Sequence, residues 1–144
     1  MTEEKFNTIS SPGKGIYKEK GSKFIGEIFP CRNEKEAKII IDGLRKEHPN
    51  AVHVCFAWRF GVKDYSDRYS DDGEPNNSAG KPIFGQIINS ELTNILITVT
   101  RYYGGTNLGV GGLITAYKMA ASEAISSTKI IEKELQYFGI LSTK

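Results

Sequence analysis

Apolar residues recur along the chain with two different spacings, which predict strands and helices. Alternation with a period of two predicts strands at residues 15–19, 23–29, 52–60 and 94–103. Spacings of three and four predict helices after Asn33, from Pro82, and directly after a glycine-rich stretch. Because each layer must bury its apolar side, we expect a two-layer α+β sandwich with all helices on one face of a small mixed sheet.

The two ends of the chain are less clearly patterned than the segment between them. Residues 1–12 are mostly polar, and we expect them to form a flexible arm. Residues 13–128 should form one domain, since a segment of this size can bury a core without disulfides or metals. Residues 129–144 have the composition of an extended run.

The predicted sheet would leave one face open, and semi-polar side chains would line that face. His53 and Arg59 alternate with the apolar residues of their strand, and Thr98 or Thr100 would join them. Such a surface could bind something flat or extended. No serine or acidic partner stands at a readable spacing from His53, so we favour a structural histidine over a catalytic one.

The polar segment 62–80 is long for a structureless loop, and such segments are often functional. Its "SDDGEP" sequence contains Asp71, Asp72 and Glu74, whose oxygens could hold Mg²⁺ or Ca²⁺. The alternative is an acidic turn whose carboxylates accept hydrogen bonds from nearby N–H groups. We favour the turn and predict neither a resident metal nor another cofactor.

A glycine-rich stretch lies between the last predicted strand and the last predicted helix. Its candidate binding residues are Gly104, Gly105, Asn107, Gly109, Gly111 and Gly112. The spacing matches neither the Walker pattern nor the dinucleotide fingerprint. Two interpretations remain: backbone N–H groups and a helix N-terminus that bind phosphate, or glycines that simply permit a tight turn.

Basic and aromatic residues flank both of these segments in the sequence. They are Arg68, Lys81, Arg101 and Tyr102. If the two segments fold together, the three cations would surround them with positive charge, and the tyrosine would offer a stacking surface for a base. The alternative is that the cations only neutralise the neighbouring carboxylates.

Composition and charge constrain the partner only weakly. The 144 residues carry a formal net charge of +2, which permits a local basic patch without requiring one. The sequence shows neither a signal peptide nor a membrane-spanning run, so we expect a cytoplasmic protein. Cys31 and Cys55 lie in apolar runs and are predicted to be reduced, packed thiols.

Four ordered segments carry a resemblance to a known family. They are "KGSKFIGEIFPCRNEKEAK", "HPNAVHVCFAWRFG", "RYSDDGEPNNSAGKPI" and "VTRYYGGTNLGVGGLITAY". Together they resemble the Impact/YigZ family. The resemblance implies a fold similar to domain 2 of a small-subunit ribosomal protein, as in GHMP kinases and domain IV of elongation factor G, with a left-handed crossover. It also implies that residues 129–144 are a linker and the start of a missing ferredoxin-like second domain.

The same resemblance implies regulation rather than catalysis. The first hypothesis is a non-enzymatic, translation-associated binding module that contacts RNA, the ribosome or a translation factor. The second is a Mg²⁺-dependent nucleotide- or phosphate-binding enzyme related by fold to the GHMP kinases. The enzyme needs a base, and the sequence offers none better than an aspartate of the acidic segment. We therefore favour the first hypothesis.

Overall fold

The structure is a computed structural model that describes residues 2–138 and 141–142. Its strands are β1 (Thr2–Ile9), β2 (Gly13–Glu19), β3 (Ser22–Pro30), β4 (His53–Phe60), β5 (Ser66–Ser70), β6 (Ile95–Tyr102), β7 (Ile130–Phe138) and β8 (Leu141–Ser142). Its helices are α1 (Glu34–Glu47), α2 (Gly80–Asn89) and α3 (Gly109–Ser126). The fold is therefore a small α+β fold, as predicted.

Five strands form the main sheet in the order β2-β3-β6-β4-β5. Each neighbouring pair in it is antiparallel, where we expected a mixed sheet. β3 and β4 do run parallel, but β6 lies between them. In β6 every residue is buried except the last, because this central strand is covered on both faces.

Helices cover both faces of this sheet, so the expectation of helices on one face was wrong. Val54, Phe56 and Trp58 of β4 pack in the cluster that includes the apolar side of α1. Cys55 and Ala57, which point to the opposite face, pack in the cluster with α2 and α3. The sequence carries this signal, since β4 is apolar on both sides, and a strand buried on both faces needs two covering layers.

Two helical crossovers connect parallel strands from opposite faces of the sheet. α1 joins β3 to β4, α2 joins β5 to β6, and each connection passes one intervening strand. Compared with the first crossover, the second starts from a strand of opposite direction and crosses the sheet in the opposite direction. These two changes equal a half-turn of the sheet in its own plane, which leaves the handedness of a crossover unchanged. The second crossover also lies on the opposite face of the sheet, and this third difference reverses its handedness. One of the two crossovers is therefore left-handed, against the general rule.

The segment expected to be one long loop contains β5, which pairs along an edge of the sheet with β4. Four of the five residues of β5 are exposed, so the sequence of this strand lacks the apolar alternation by which a strand is predicted. α2 begins at Gly80 rather than at the predicted Pro82. The carboxylate of Asp71, nine positions earlier, accepts hydrogen bonds from the N–H groups of Ala79 and Gly80 at 3.1 and 2.9 Å. This remote cap allows the earlier start.

The predicted flexible arm and linker are instead two paired strands within the described residues. β1 and β7 pair antiparallel from Thr2 with Tyr137 to Ile9 with Ile130. β7 agrees with the extended run predicted for residues 129–144, but its pairing with β1 was not predicted, because the two strands are more than a hundred residues apart. The predictions for residues 1, 139–140 and 143–144 lie outside the described residues. A second domain after this point remains a prediction.

Candidate functional site

The acidic segment and the glycine-rich stretch meet at a cavity of about 460 Å³. The cavity lies on the face of the sheet that α2 and α3 cover. Its lining consists of Val52, His53, Glu74, Pro75, Arg101, Tyr103, Asn107, Leu108, Gly109, Val110 and Leu113. Five of these residues were candidates from the sequence: His53, Glu74, Arg101, Asn107 and Gly109.

Glu74 lies at the centre of a buried polar cluster in the wall of this cavity. Its Oε2 accepts a hydrogen bond from Arg101 at 2.7 Å and another from the hydroxyl of Tyr117. Its Oε1 lies 3.6 Å from Nε2 of His53, whose Nδ1 contacts the carbonyl oxygen of Asp72 at 2.6 Å. A buried charge must be paired to be tolerated, and Arg101 supplies that pairing.

Burial holds two side chains beneath the cavity, Tyr117 and Cys55, in their neutral forms. Burial raises the pKa of the Tyr117 hydroxyl well above its usual value. Burial likewise raises the pKa of the Cys55 thiol, which donates to the carbonyl oxygen of Asp71 at 3.1 Å. A nucleophilic thiol needs a lowered pKa, so this environment favours a structural cysteine. Cys31 and Cys55 are both free and buried, as predicted.

The carboxylates of Asp71 and Asp72 are directed at protein N–H groups. Asp71 accepts from the backbone N–H of Asn77 as well as from the start of α2. Asp72 accepts from two nitrogens of Arg45 at 3.0 and 3.1 Å and from the backbone N–H of Val54 at 2.7 Å. Within the described residues no group of three or more acidic, histidine or cysteine side chains is arranged to hold a metal ion.

The glycines of the 104–112 stretch differ in what they do. A Cβ on Gly104 would lie 2.1 Å from the backbone of Gly21, so this glycine permits the close approach of two chain segments. Gly105 and Gly109 have φ of +89° and +78°, which favours glycine. A Cβ on Gly111 would meet nothing within 4 Å, and φ there is not positive.

The N-terminus of α3 is open at the mouth of the cavity. No side chain among the described residues caps it, and its first residues include Gly109, Gly111 and Gly112. The first N–H groups of a helix have no partner within the helix and carry partial positive charge. They are therefore available to an acceptor from outside.

Several predicted site residues lie elsewhere, so the expected ring of positive charge does not form. Arg68 is paired with Trp58 and shares its side of the sheet, on the face of α1. Arg59 forms two hydrogen bonds with Asp67, at 2.9 and 3.0 Å. Lys81 is exposed at the start of α2 and does not line the cavity.

Tyr102 also points away from the cavity. Its hydroxyl lies 2.5 Å from Nδ1 of His48, on the α1 face. Its neighbour Tyr103 lines the cavity instead, since successive strand residues point to opposite faces. The sequence did not decide between the two tyrosines. It also gave no sign that Tyr117, a helix-face residue, would hydrogen-bond to Glu74.

A basic strip lies on the part of the α1 face that is nearest the β2 edge. We define it as Lys14, Ile16 and Lys18 of β2 with Lys23 of β3, whose side chains share this face. α1 packs against β4 and β6 and leaves Ile16 48 % exposed. The open surface predicted from the sequence therefore exists in part, but its residues differ. His53 and Arg59 lie on the other face, and Thr98 and Thr100 are fully buried.

Comparison with known protein families identifies relatives of this chain. The sequence model of the Impact N-terminal domain matches residues 20–125. The chain belongs to this family. This Impact domain is 35 % identical over 128 residues to the IMPACT family member YvyE of Bacillus subtilis, covering 89 % of the chain and 59 % of YvyE. It is 42 % identical over 108 residues to YigZ of Escherichia coli, covering 74 % of the chain and 53 % of YigZ.

Two solved structures share the fold. A crystal structure of a hypothetical protein matches with a TM-score of 0.86 and 35 % identity, covering 90 % of this chain and 64 % of the other. The two-domain translational regulator Yih1 matches with a TM-score of 0.51 and 24 % identity, covering 85 % and 47 %. The Impact domain thus spans between about half and two thirds of the length of these four relatives. Within its described residues, no helix is both long and apolar enough to cross a membrane.

The family match covers the cavity completely and the basic strip only in part. Every residue that lines the cavity lies within the matched residues 20–125. Of the lysines in the basic strip, only Lys23 does. The cavity is therefore built entirely from the segment that defines an Impact domain.

Proposed function

We propose that this Impact domain is a non-enzymatic binding module of translation regulation, and that its basic strip contacts structured RNA such as that of the ribosome. One relative by fold, Yih1, is described as a translational regulator. We further propose the finer kinship of the fold to domain 2 of a small-subunit ribosomal protein, and a cytoplasmic location beside the translation machinery. Fold likeness alone is a weak guide to function, so the argument rests on the surface.

The observation that carries the proposal is a pair of like charges. Lys18 and Lys23 stand directly opposite each other on β2 and β3, and their side chains share the open face. Like charges at such a position destabilise a sheet unless an anion lies between them. The phosphate groups of RNA would supply that anion, and Lys14, which stands opposite Glu27, extends the strip at its other end.

The strip also offers apolar and aromatic contacts suited to a nucleic acid. Ile16 lies between the lysines of β2, and the ammonium group of Lys23 lies 5.2 Å from the ring centre of Tyr102. Lysines that neutralise phosphates, placed beside flat side chains, are the usual composition of an RNA-binding surface.

The competing proposal, a Mg²⁺-dependent phosphate-binding enzyme, finds less support in the site. It would require Asp71 and Asp72 to release the N–H groups and the arginine that they now bind. Glu74 would have to serve as a base while paired with Arg101. The last of these steps would unpair buried groups at a cost of a few kcal/mol, since Glu74 and Arg101 are 4 % and 7 % exposed.

The test is a salt titration of RNA binding followed by fluorescence anisotropy of a labelled RNA hairpin. The variant Lys14→Gln/Lys18→Gln/Lys23→Gln removes the three charges of the strip. If each lysine displaces about one counterion from the RNA, the slope of log K against log salt should fall by about 2–3. Affinity at low salt should fall with it.

The matched control removes three exposed lysines from the side of α2 and α3. In Lys81→Gln/Lys118→Gln/Lys129→Gln the change in net charge is the same, so any general electrostatic effect is also the same. Equal losses in both triple variants would show that the strip is not the contact. Undetectable binding of the unmodified protein to RNA and to ribosomes at low salt would refute the proposal altogether.

A further inference from the structure

The cavity beside α3 has an exposed apolar rim. Val52, Tyr103 and Val110 line it and are each about half exposed, at 49 %, 49 % and 53 %. Exposed apolar side chains are ordinary when scattered, but a group of them around a cavity marks an interaction site. Leu108 and Leu113 continue the apolar surface into the cavity.

The same cavity has unused hydrogen-bond donors. The first N–H groups of α3 are uncapped by any described side chain, and Gly111 leaves them unscreened by a Cβ without any steric need for glycine. In the wall of the cavity, the side chain of Arg101 is only 7 % exposed, and its Nε has no hydrogen-bond partner among the described residues. That nitrogen has almost no exposed surface and the other nitrogens of Arg101 already donate to Glu74 and Ser22, so the N–H groups of α3 are the donors open to an acceptor in the cavity.

The charges around the cavity argue against a nucleic acid as the occupant. Among the described residues, the cavity lining contains no lysine, and its single arginine is neutralised by Glu74 at 2.7 Å. A polyanion needs several exposed cations, as the basic strip on the opposite face provides. One carboxylate beside an apolar side chain needs only helix N–H groups and an apolar pocket.

We propose that this cavity docks a peptide segment of a partner protein in which an acidic side chain stands next to a large apolar one. The carboxylate lies at the N-terminus of α3. The apolar side chain enters between Val52, Val110 and Leu113. This goes beyond RNA binding, because it gives the domain a second surface for a protein, on the opposite face of the sheet.

The experiment uses blocked eight-residue peptides and the ¹⁵N-labelled protein, followed by amide chemical shifts. The probes place one Asp or Glu at one to three positions from one Trp, Phe or Leu. The control peptides carry Lys in place of the acid, or Ala in place of the apolar residue. Acidic–apolar peptides should shift the amides of Gly109–Gly112 and Tyr103, and both kinds of control peptide should bind at least about tenfold more weakly.

Matched protein variants locate the binding. Val110→Glu puts a carboxylate in the first turn of α3, where it stabilises the helix and competes with the peptide. Ile39→Glu is the control, since Ile39 is a 65 % exposed apolar residue on α1, on the other side of the sheet. The first should weaken peptide binding at least about tenfold, and the second less than about twofold.

Three results would overturn the proposal. One is a panel in which no acidic–apolar peptide shifts these amides, and another is an equal effect of the two variants. The third is that inorganic phosphate or adenosine monophosphate shifts the same amides more strongly than the peptides do, which would make the cavity an anion site. The Lys14→Gln/Lys18→Gln/Lys23→Gln variant should bind the peptides normally, so failure of the RNA proposal and failure of this one can be distinguished.

Discussion

Breaking the buried pair of Glu74 and Arg101 should destabilise the domain strongly. The two side chains are 4 % and 7 % exposed and joined at 2.7 Å. Removing one partner of a buried pair leaves an uncompensated charge and costs about 3–5 kcal/mol. At about 2.1 cal/mol/K of unfolding entropy per residue, this chain loses roughly 3 °C of Tm per kcal/mol. Arg101→Met should therefore lower Tm by about 10–15 °C.

The magnitude of the pairwise interaction follows from a double-mutant cycle. Glu74→Gln keeps the shape of the side chain and a hydrogen bond to Tyr117, so we expect a loss of about 1–3 kcal/mol. In Glu74→Gln/Arg101→Met neither charge is present. The loss of unfolding free energy in this double variant should therefore be smaller, by about 1–3 kcal/mol, than the sum of the losses in the two single variants. Urea denaturation and thermal unfolding measure both quantities.

An exposed ion pair provides the control. Lys38 and Glu34 lie 3.0 Å apart on the outer side of α1, both more than half exposed. Glu34→Gln should change Tm by less than about 2 °C, because solvent screens such pairs. If Arg101→Met changed Tm no more than this control, or if the losses in the cycle were additive, the pair would not be the buried, coupled unit described here.

Three further predictions concern the core and the turns. Burial raises the pKa of the Glu27 carboxyl above its usual value, so the wild type loses stability as the pH rises from the unfolded pKa through the folded pKa. Glu27→Gln has no titrating group there and should therefore gain Tm relative to the wild type as the pH rises above the usual pKa of a glutamate. A difference in Tm that stays constant with pH would contradict this. Gly104→Ala should lower the free energy of unfolding by more than about 1 kcal/mol, because its Cβ clashes with Gly21. Gly111→Ala in the first turn of α3 should raise the free energy of unfolding by up to about 1 kcal/mol, because alanine favours a helix over glycine. Equal effects of the two variants in urea denaturation would contradict this distinction. Burial raises the pKa of Cys31 to about 11, so this thiol should resist Ellman's reagent near pH 8 in the native protein and react once urea unfolds the chain. Fast labelling of Cys31 in the native protein would instead show an accessible thiolate and contradict the prediction.

The sequence predicted the elements that have a local pattern and missed those that do not. α1 was predicted after Asn33, and Oδ1 of this residue caps the helix by accepting from the N–H of Glu36 at 2.9 Å. The carboxylate of Glu36 accepts from the N–H of Arg32, whereas in a capping box it would accept from the N–H of Asn33 itself. β1 and β5 were missed because the partner of β1 is distant and the side chains of β5 are exposed, and neither property appears in a local window. β7 falls in the run that was predicted to be extended, but its pairing with β1 was not predicted.

The candidate site shows the same division between local and long-range information. The glycine stretch and the acidic segment could be found from composition, and the structure brings them together around Glu74. Which residues face the cavity was not predictable, because it depends on the register of β6 and the phase of α3. Tyr103 rather than Tyr102 lines the cavity for that reason.

The register of β6 also explains how one small domain can present two different surfaces. Along this central strand, Arg101 points to the face with the cavity and Tyr102 to the face with the basic strip. A rigid sheet buried on both sides keeps these neighbours apart, since moving either one requires shifting the core. RNA on one face and a peptide on the other would therefore not compete for space. Under the two proposals above, the domain would hold an RNA and a protein segment at once, one on each face of the sheet.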